Sequence, residues 1–245
     1  MFTKVAENLK NLGYRVTVFD TKEQAADYLC GEIQNTTVAF GGSMSLRDMG
    51  LFERMKGHNE VLWHLAPAEG STKDETRMLA RQADVYLSSV NGLAETGEMI
   101  NIDGVGNRVA STIFGHKKVY FVIGKNKLAE DYDKALWRAR NIASPKNAQR
   151  IGVKTPCAAK GDRCYNCSSP ERICRVLTVF WGAPMGSDCE VVLVKEDLGY
   201  SAQTKERRRG SIPRRFFACY CWVLFCWHRQ FESGLHHFQQ RFGTA

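Results

Sequence analysis

From Thr3 to Val90 the chain alternates at short spacing between helix-like and strand-like runs, and that rhythm restricts the fold more than any other feature. Thr3–Leu12 places Val5, Leu9 and Leu12 on one side and stops at Gly13, as a helix does. Arg15–Phe19 alternates as a strand. Thr21 and Gln24 have capping-box spacing and open a helix that runs to Ile33. Thr37–Phe40 is a short buried strand, Val61–Leu65 the next, and Val85–Val90 another. Between the last two, Ser71 caps a helix that reaches Ala83. Strands and helices in turn imply an α/β class: a mostly parallel sheet with helices on both faces.

Open sheets of this kind bind ligands at the carboxyl ends of their strands. The segment TVAFGGSMSLRDMGL at residues 37–51 lies at such an end. Gly41 and Gly42 turn the backbone with no Cβ in the way, and Ser43 is a good N-cap. The helix that follows carries Met44, Leu46, Leu51, Phe52 and Met55 on roughly one face. A strand, a glycine turn and a capped helix start favour a phosphate or carboxylate. The plain alternative is a tight turn that only needs small residues. The segment is neither a G-x-G-x-x-G dinucleotide fingerprint nor a G-x-x-x-x-G-K-[ST] loop.

A second polar segment, NGLAETGEMINIDGVGN, spans residues 91–107. Leu93–Glu95 and Glu98–Ile102 are expected to pair as short strands about Thr96-Gly97, with a glycine loop and a short helix from Arg108 following. Glu95, Glu98 and Asp103 beside Asn107 and Arg108 suit acid–base or anion-handling chemistry. The same residues also suit a solvated hairpin. His64 and His116 read as structural histidines, and Met44, Met49 and Met55 as core. Further on come an apolar strand at Lys118–Ile123, a long helix at Leu128–Ile142, and another helix from Ser144-Pro145. Val176–Phe180 and Glu190–Leu193 read as an edge hairpin near the C-terminal end of the globular unit, which closes at Gly199-Tyr200.

Cys157, Cys164, Cys167 and Cys174 are spaced C-x6-C-x2-C-x6-C. Four thiolates suit zinc or an iron–sulfur cluster, and Lys154, Lys160, Arg163, Arg172 and Arg175 would offset their charge. The spacing matches neither the ferredoxin run nor a standard zinc finger. A reduced thiol-rich loop, or a redox pair at Cys164 and Cys167, is the competing reading. Cys30 and Cys189 read as packing residues.

The formal net charge of +8 belongs mostly to the end of the chain, because residues 201–245 hold 8 Lys/Arg against 2 Asp/Glu. That tail joins RRRGSIPRR to FFACYCWVLFCW and has no regular period. Its apolar run is too short to span a bilayer. Disorder, or translation of a shifted or non-coding frame, fits it best, ahead of nucleic-acid or membrane-surface binding. Residues 1–200 are nearly balanced in charge, so no nucleic-acid partner is expected for the core. No leader peptide is evident at MFTKVAENLKNLGY, and a cytoplasmic protein with reduced cysteines is expected.

Taken in order, several segments resemble the LUD-domain family of lactate utilization proteins, in particular its short single-domain members. They are VAFGGSMSLRDMG (38–50), ADVYLSSVNGLAETGEMINIDGVGNRVA (83–110), KKVYFVIGKNKL (117–128), RNIASPKNAQR (140–150), KTPCAAKGDRCYNCSSPERIC (154–174) and VVLVKEDLGY (191–200). The resemblance covers residues 1–200 and leaves out the tail. It implies a fold like that of sugar-phosphate isomerases, CoA transferases and formyltetrahydrofolate cyclo-ligases. Carried over, Gly41, Gly42 and Ser43 would hold an anion, and Glu95 or Glu98 would be the carboxylate to test, with Asp103, Asn107 and Arg108 beside it. It also implies a part in oxidising L-lactate to pyruvate next to a companion subunit that carries iron–sulfur clusters. A stand-alone enzyme of the isomerase or CoA-transferase type acting on a small anion is the second expectation.

Overall fold

The computed structural model describes residues 1–201; from residue 202 onward the tail, with the expectations placed on it, lies outside the described residues. Met1–Ala202 forms one compact unit. The strands are β1 (Arg15–Phe19), β2 (Thr37–Phe40), β3 (Glu60–Trp63), β4 (Val85–Ser88), β5 (Gly92–Ala94), β6 (Met99–Asp103), β7 (Lys118–Gly124), β8 (Leu128–Ala129), β9 (Val176–Phe180) and β10 (Asp188–Val194). The helices are α1 (Thr3–Asn11), α2 (Lys22–Glu32), α3 (Met44–Asp48), α4 (Leu51–Met55), α5 (Lys73–Ala80), α6 (Asn107–Ile113), α7 (Tyr132–Arg138), α8 (Ser144–Ile151) and α9 (Pro156–Lys160).

Six strands form a parallel sheet in the order β1-β10-β7-β4-β2-β3. Its two faces are covered separately. Leu29, Leu46, Leu51, Phe52 and Met55 of α2, α3 and α4 pack with Phe40, Leu87, Val122 and Val192 on one side. Val5 and Leu9 of α1 pack with Phe121, Ile123, Val191 and Leu193 on the other. On that second side a four-stranded sheet, β8-β5-β6-β9, joins the same core through Leu93, Met99 and Phe180. Its outer side, through Ala94 and Ile100, packs on Ala135 and Ala139. Among the described residues no helix is long and apolar enough to cross a membrane.

The parallel sheet and its helices follow the strand–helix rhythm. The edge hairpin is a correction. Val176–Phe180 pairs antiparallel with β6 in the small sheet, from Met99↔Phe180 to Asp103↔Val176. β10 instead lies between β1 and β7, inside the large sheet. Cys189–Val194 is buried at every position, Glu190 included, as an interior strand is. A strand covered on both faces shows a continuous apolar run, whereas an edge strand shows alternation.

Helix boundaries shift for local reasons. Gly50, at φ 64°, separates α3 from α4, so the run from Met44 to Met55 is two short helices. Thr72, not Ser71, caps α5, because Glu75 stands three residues on and completes the capping box. Leu128–Ala129 is strand, and α7 starts after Asp131, whose carboxylate accepts from Lys134 N at 2.8 Å. Ser144-Pro145 begins α8 as expected, but with no break before it. A π turn at Ala139–Ala143 joins α7 to α8, Ser144 Oγ donates to the Ala139 carbonyl at 3.0 Å, and the widened turn accommodates a proline without an N–H.

Gly92 marks the closest approach between β5 and α7. A Cβ there would stand 2.4 Å from the Ala135 carbonyl oxygen. Backbone must move to admit it, so Gly92→Ala is expected to destabilise the unit by about 1–3 kcal/mol, read as a lower urea midpoint.

Candidate functional site

A cleft of about 460 Å³ opens where the strands of the large sheet end. Gly42 and Ser43 follow β2, His64 follows β3, Ser89 and Val90 follow β4, and Lys127 follows β7. Across from them stand Asp103 at the end of β6, Asn107 at the start of α6, and Ala143, Ser144, Asn147 and Arg150 of the π turn and α8. This is the position at which open parallel sheets take ligands.

The expected site residues divide. Gly42, Ser43, Asp103, Asn107 and Arg108 all border the cleft. Gly41 stands behind it: a Cβ there would meet Ser88 Oγ and Tyr86 Oη at 3.0 Å and Arg108 Cγ at 3.2 Å. Its small size makes room for the arginine. Ser43 Oγ accepts from Leu46 N at 3.4 Å and so caps α3. Asp103 holds the glycine loop, accepting from Gly104 N at 2.7 Å, Gly106 N at 3.2 Å and Val109 N at 3.2 Å. Arg108 ties strands together, donating to Ile102 O at 2.7 Å, Asn91 Oδ1 at 3.1 Å and Ser89 O at 3.3 Å.

Glu95 and Glu98 do not join this group, which corrects the expectation of a pocket shared with Gly42. Glu95 pairs with Lys4 at 2.7 Å, and its carbonyl accepts from Asn8 Nδ2 at 2.7 Å. Glu98 bonds to Thr96. Because β5 and β6 run antiparallel, Asn91 and Asp103 meet at the cleft end of the hairpin while residues 95–98 turn at the other, beside α1. Each residue along a strand moves the chain about 3.3 Å, so nearness in sequence to Asp103 became distance in space.

Apart from Arg108, the cleft's charge comes from residues that sequence reasoning passed over. Lys73, Arg77, Lys127, Arg138 and Arg150 border it with Arg108, against the lone carboxylate of Asp103 among the described residues. Lys127 is 6% exposed, and its ammonium donates to Ser45 Oγ and Ser89 Oγ, each at 2.6 Å. Among the described residues it ion-pairs with no carboxylate. Burial, then Arg138 and Arg108, hold its pKa well below the ordinary lysine value. Arg138, 5% exposed, donates to the carbonyls of Asn126 at 2.6 Å, Asn91 and Tyr200, and burial brings it down to about 10. Arg77 pairs with Asp74, while its buried Nε meets no partner among the described residues. One signal was available for Lys127: it lies three residues beyond the apolar strand β7, near the carboxyl end where ligands bind.

His64 was expected to be structural, but it borders the cleft and is 8% exposed. Burial, followed by Arg77, pushes its pKa from 6.5 to about 4. The imidazole is therefore neutral near pH 7. In the unfolded chain it gains its proton first as the pH falls, so the stability it contributes is complete above pH 6.5 and lost towards pH 4. Urea midpoints are expected to fall across that window, and His64→Gln to remove roughly 3 kcal/mol of the fall. His116, also pushed down by burial, adds a slope of the same sign that this variant keeps.

The four candidate metal ligands do not form a ligand shell. Among the described residues no three of His, Cys, Asp and Glu are gathered as a metal requires. Cys164 and Cys174 border a smaller hollow of about 190 Å³ with Arg140, Arg172 and Arg175. Arg172 Nε donates to Cys174 Sγ at 3.2 Å, and Cys157 Sγ lies 3.3 Å from Thr155 Oγ1. Cys167 contributes its carbonyl to Arg172 at 2.9 Å. This donor set fits neither zinc nor an iron–sulfur cluster as arranged.

The sequence model of the LUD domain matches residues 2–194. Among curated proteins none matches. A solved structure, a DUF162 family protein from Deinococcus radiodurans, is similar at 13% identity and a TM-score of 0.45, over 78% of this chain and 94% of that one.

Proposed function

This chain belongs to the LUD-domain family, a family associated with lactate utilization, and on that premise we propose that it holds a small organic anion in the cleft at the strand ends. The observation that carries this reading is the excess of cations there, with a buried Lys127 ion-paired to no carboxylate among the described residues. An isolated buried ammonium is costly, and a bound carboxylate supplies the missing charge. Unit charges about 4 Å apart attract by roughly 4 kcal/mol at the effective dielectric of a protein surface. Lys127 would meet the carboxylate, Lys73 and Arg77 would attract it at the mouth, and the turn at Gly41, Gly42 and Ser43 would bound it on one side.

The chain then acts as a component of L-lactate oxidation to pyruvate, with a separate redox subunit carrying iron–sulfur clusters as the electron acceptor. Its own cysteines are assigned no step. Calorimetric titration of the full chain with L-lactate and with pyruvate tests the binding. Saturable binding is expected, weakened about 3–10-fold by Lys73→Gln with Arg77→Gln, and weakened by added salt. Binding that neither the double substitution nor salt alters would place the anion elsewhere.

A further inference from the structure

The cleft contains a nucleophile that anion binding alone leaves unemployed. Lys127 is almost fully buried, yet its side chain borders the cleft. Ser89 Oγ donates its own proton to the Val122 carbonyl, so it can only receive an N–H from Lys127. Ser45 Oγ is the other contact, and neither serine is charged. A lysine kept for structure usually meets a carboxylate when it is this deeply buried. A reactive amine needs the reverse: burial and cationic neighbours, which together make its proton easier to lose. Arg138 and Arg108 are those neighbours. Both are fixed on backbone carbonyls, Arg138 on Asn126, Asn91 and Tyr200, and Arg108 on Ser89 and Ile102.

We infer that Lys127 forms an imine with the carbonyl group of a small oxo acid bound in the cleft. The inference rests on the anion reading above and adds the class of ligand and the bond it makes. The Lys127 ammonium first meets the acid's carboxylate; it then gives one proton to water in the cleft, and the amine nitrogen so freed attacks the carbonyl carbon to give a carbinolamine. Its hydroxyl leaves as water, carrying both protons of the original amine, and a C=N bond remains. No oxidant or reductant is consumed. The two serine hydroxyls fix the nitrogen at the cleft wall, and the remaining cations face the acid's carboxylate. Burial beside Arg138 and Arg108 lowers the lysine pKa, which eases loss of the proton before attack. A volume of about 460 Å³ accommodates a short oxo acid together with water.

The test is reductive trapping. The full chain is incubated with pyruvate and cyanoborohydride, then read by intact mass and peptide mapping. One reduced adduct per chain is expected, on Lys127, with loss of that adduct in Lys127→Met and little labelling when neutral acetone replaces pyruvate. Mapping on the unaltered chain decides the matter even if the variant folds poorly. Labelling spread over surface lysines, equal in Lys127→Met, overturns the inference. So does calorimetric binding of pyruvate without an adduct, which leaves the anion reading standing. Absence of both heat and adduct overturns the anion reading as well.

Discussion

Arg138→Ala is expected to destabilise the unit by about 3–5 kcal/mol, enough to lower its urea midpoint severely. The side chain is 5% exposed and reaches three separate stretches of chain. It donates to Asn91 between β4 and β5, to Asn126 just beyond β7, and to Tyr200 near the end of the described residues. Truncation removes this donor from the Asn91 and Asn126 carbonyls, while Tyr200 O keeps Asn126 Nδ2 at 3.1 Å; a polar group left unmet costs about 1–3 kcal/mol. Arg138→Lys keeps the charge but offers fewer fixed donors than the planar guanidinium. It is expected to fall between the unaltered chain and the alanine variant. A midpoint unchanged by Arg138→Ala would show that these contacts do not hold the cleft walls together.

Lys127→Met separates binding from stability in opposite directions. Removing a buried ammonium that ion-pairs with no carboxylate among the described residues, and filling its volume with an apolar side chain, is expected to stabilise the fold by about 1 kcal/mol or more. Affinity for a carboxylate should fall about 10–100-fold, because a hydrogen bond to a charged group contributes about 1.5–3 kcal/mol. Thermal melting and calorimetry on one preparation read both. A variant that is less stable and binds as before would assign Lys127 a purely structural role.

The large sheet was legible because its signal is local. Apolar strands, a capping box at Thr21 and Gln24, and a glycine turn after Phe40 each announce themselves within a few residues. The place of β10 was not, since nothing in Cys189–Val194 says which strands it pairs with; only its uninterrupted burial hints at an interior position. The site was half legible. Gly42, Ser43, Asp103, Asn107 and Arg108 follow strand ends or glycine loops, which are visible signals. Glu95 and Glu98 misled because a hairpin sends its turn away from its strand ends. His64 comes from a segment far from that of Lys127 and Arg138, and the three meet only through the fold, so no spacing rule joins them.

The most direct test of the cleft as an organic-anion site is a crystal structure of the full chain grown with oxalate. The account predicts a carboxylate within hydrogen-bonding distance of Lys127 Nζ, among Ser43, His64 and Ser89. Oxalate bound instead in the hollow of Arg140, Arg172 and Arg175, with the Lys127 cleft open and filled only by water, would contradict it.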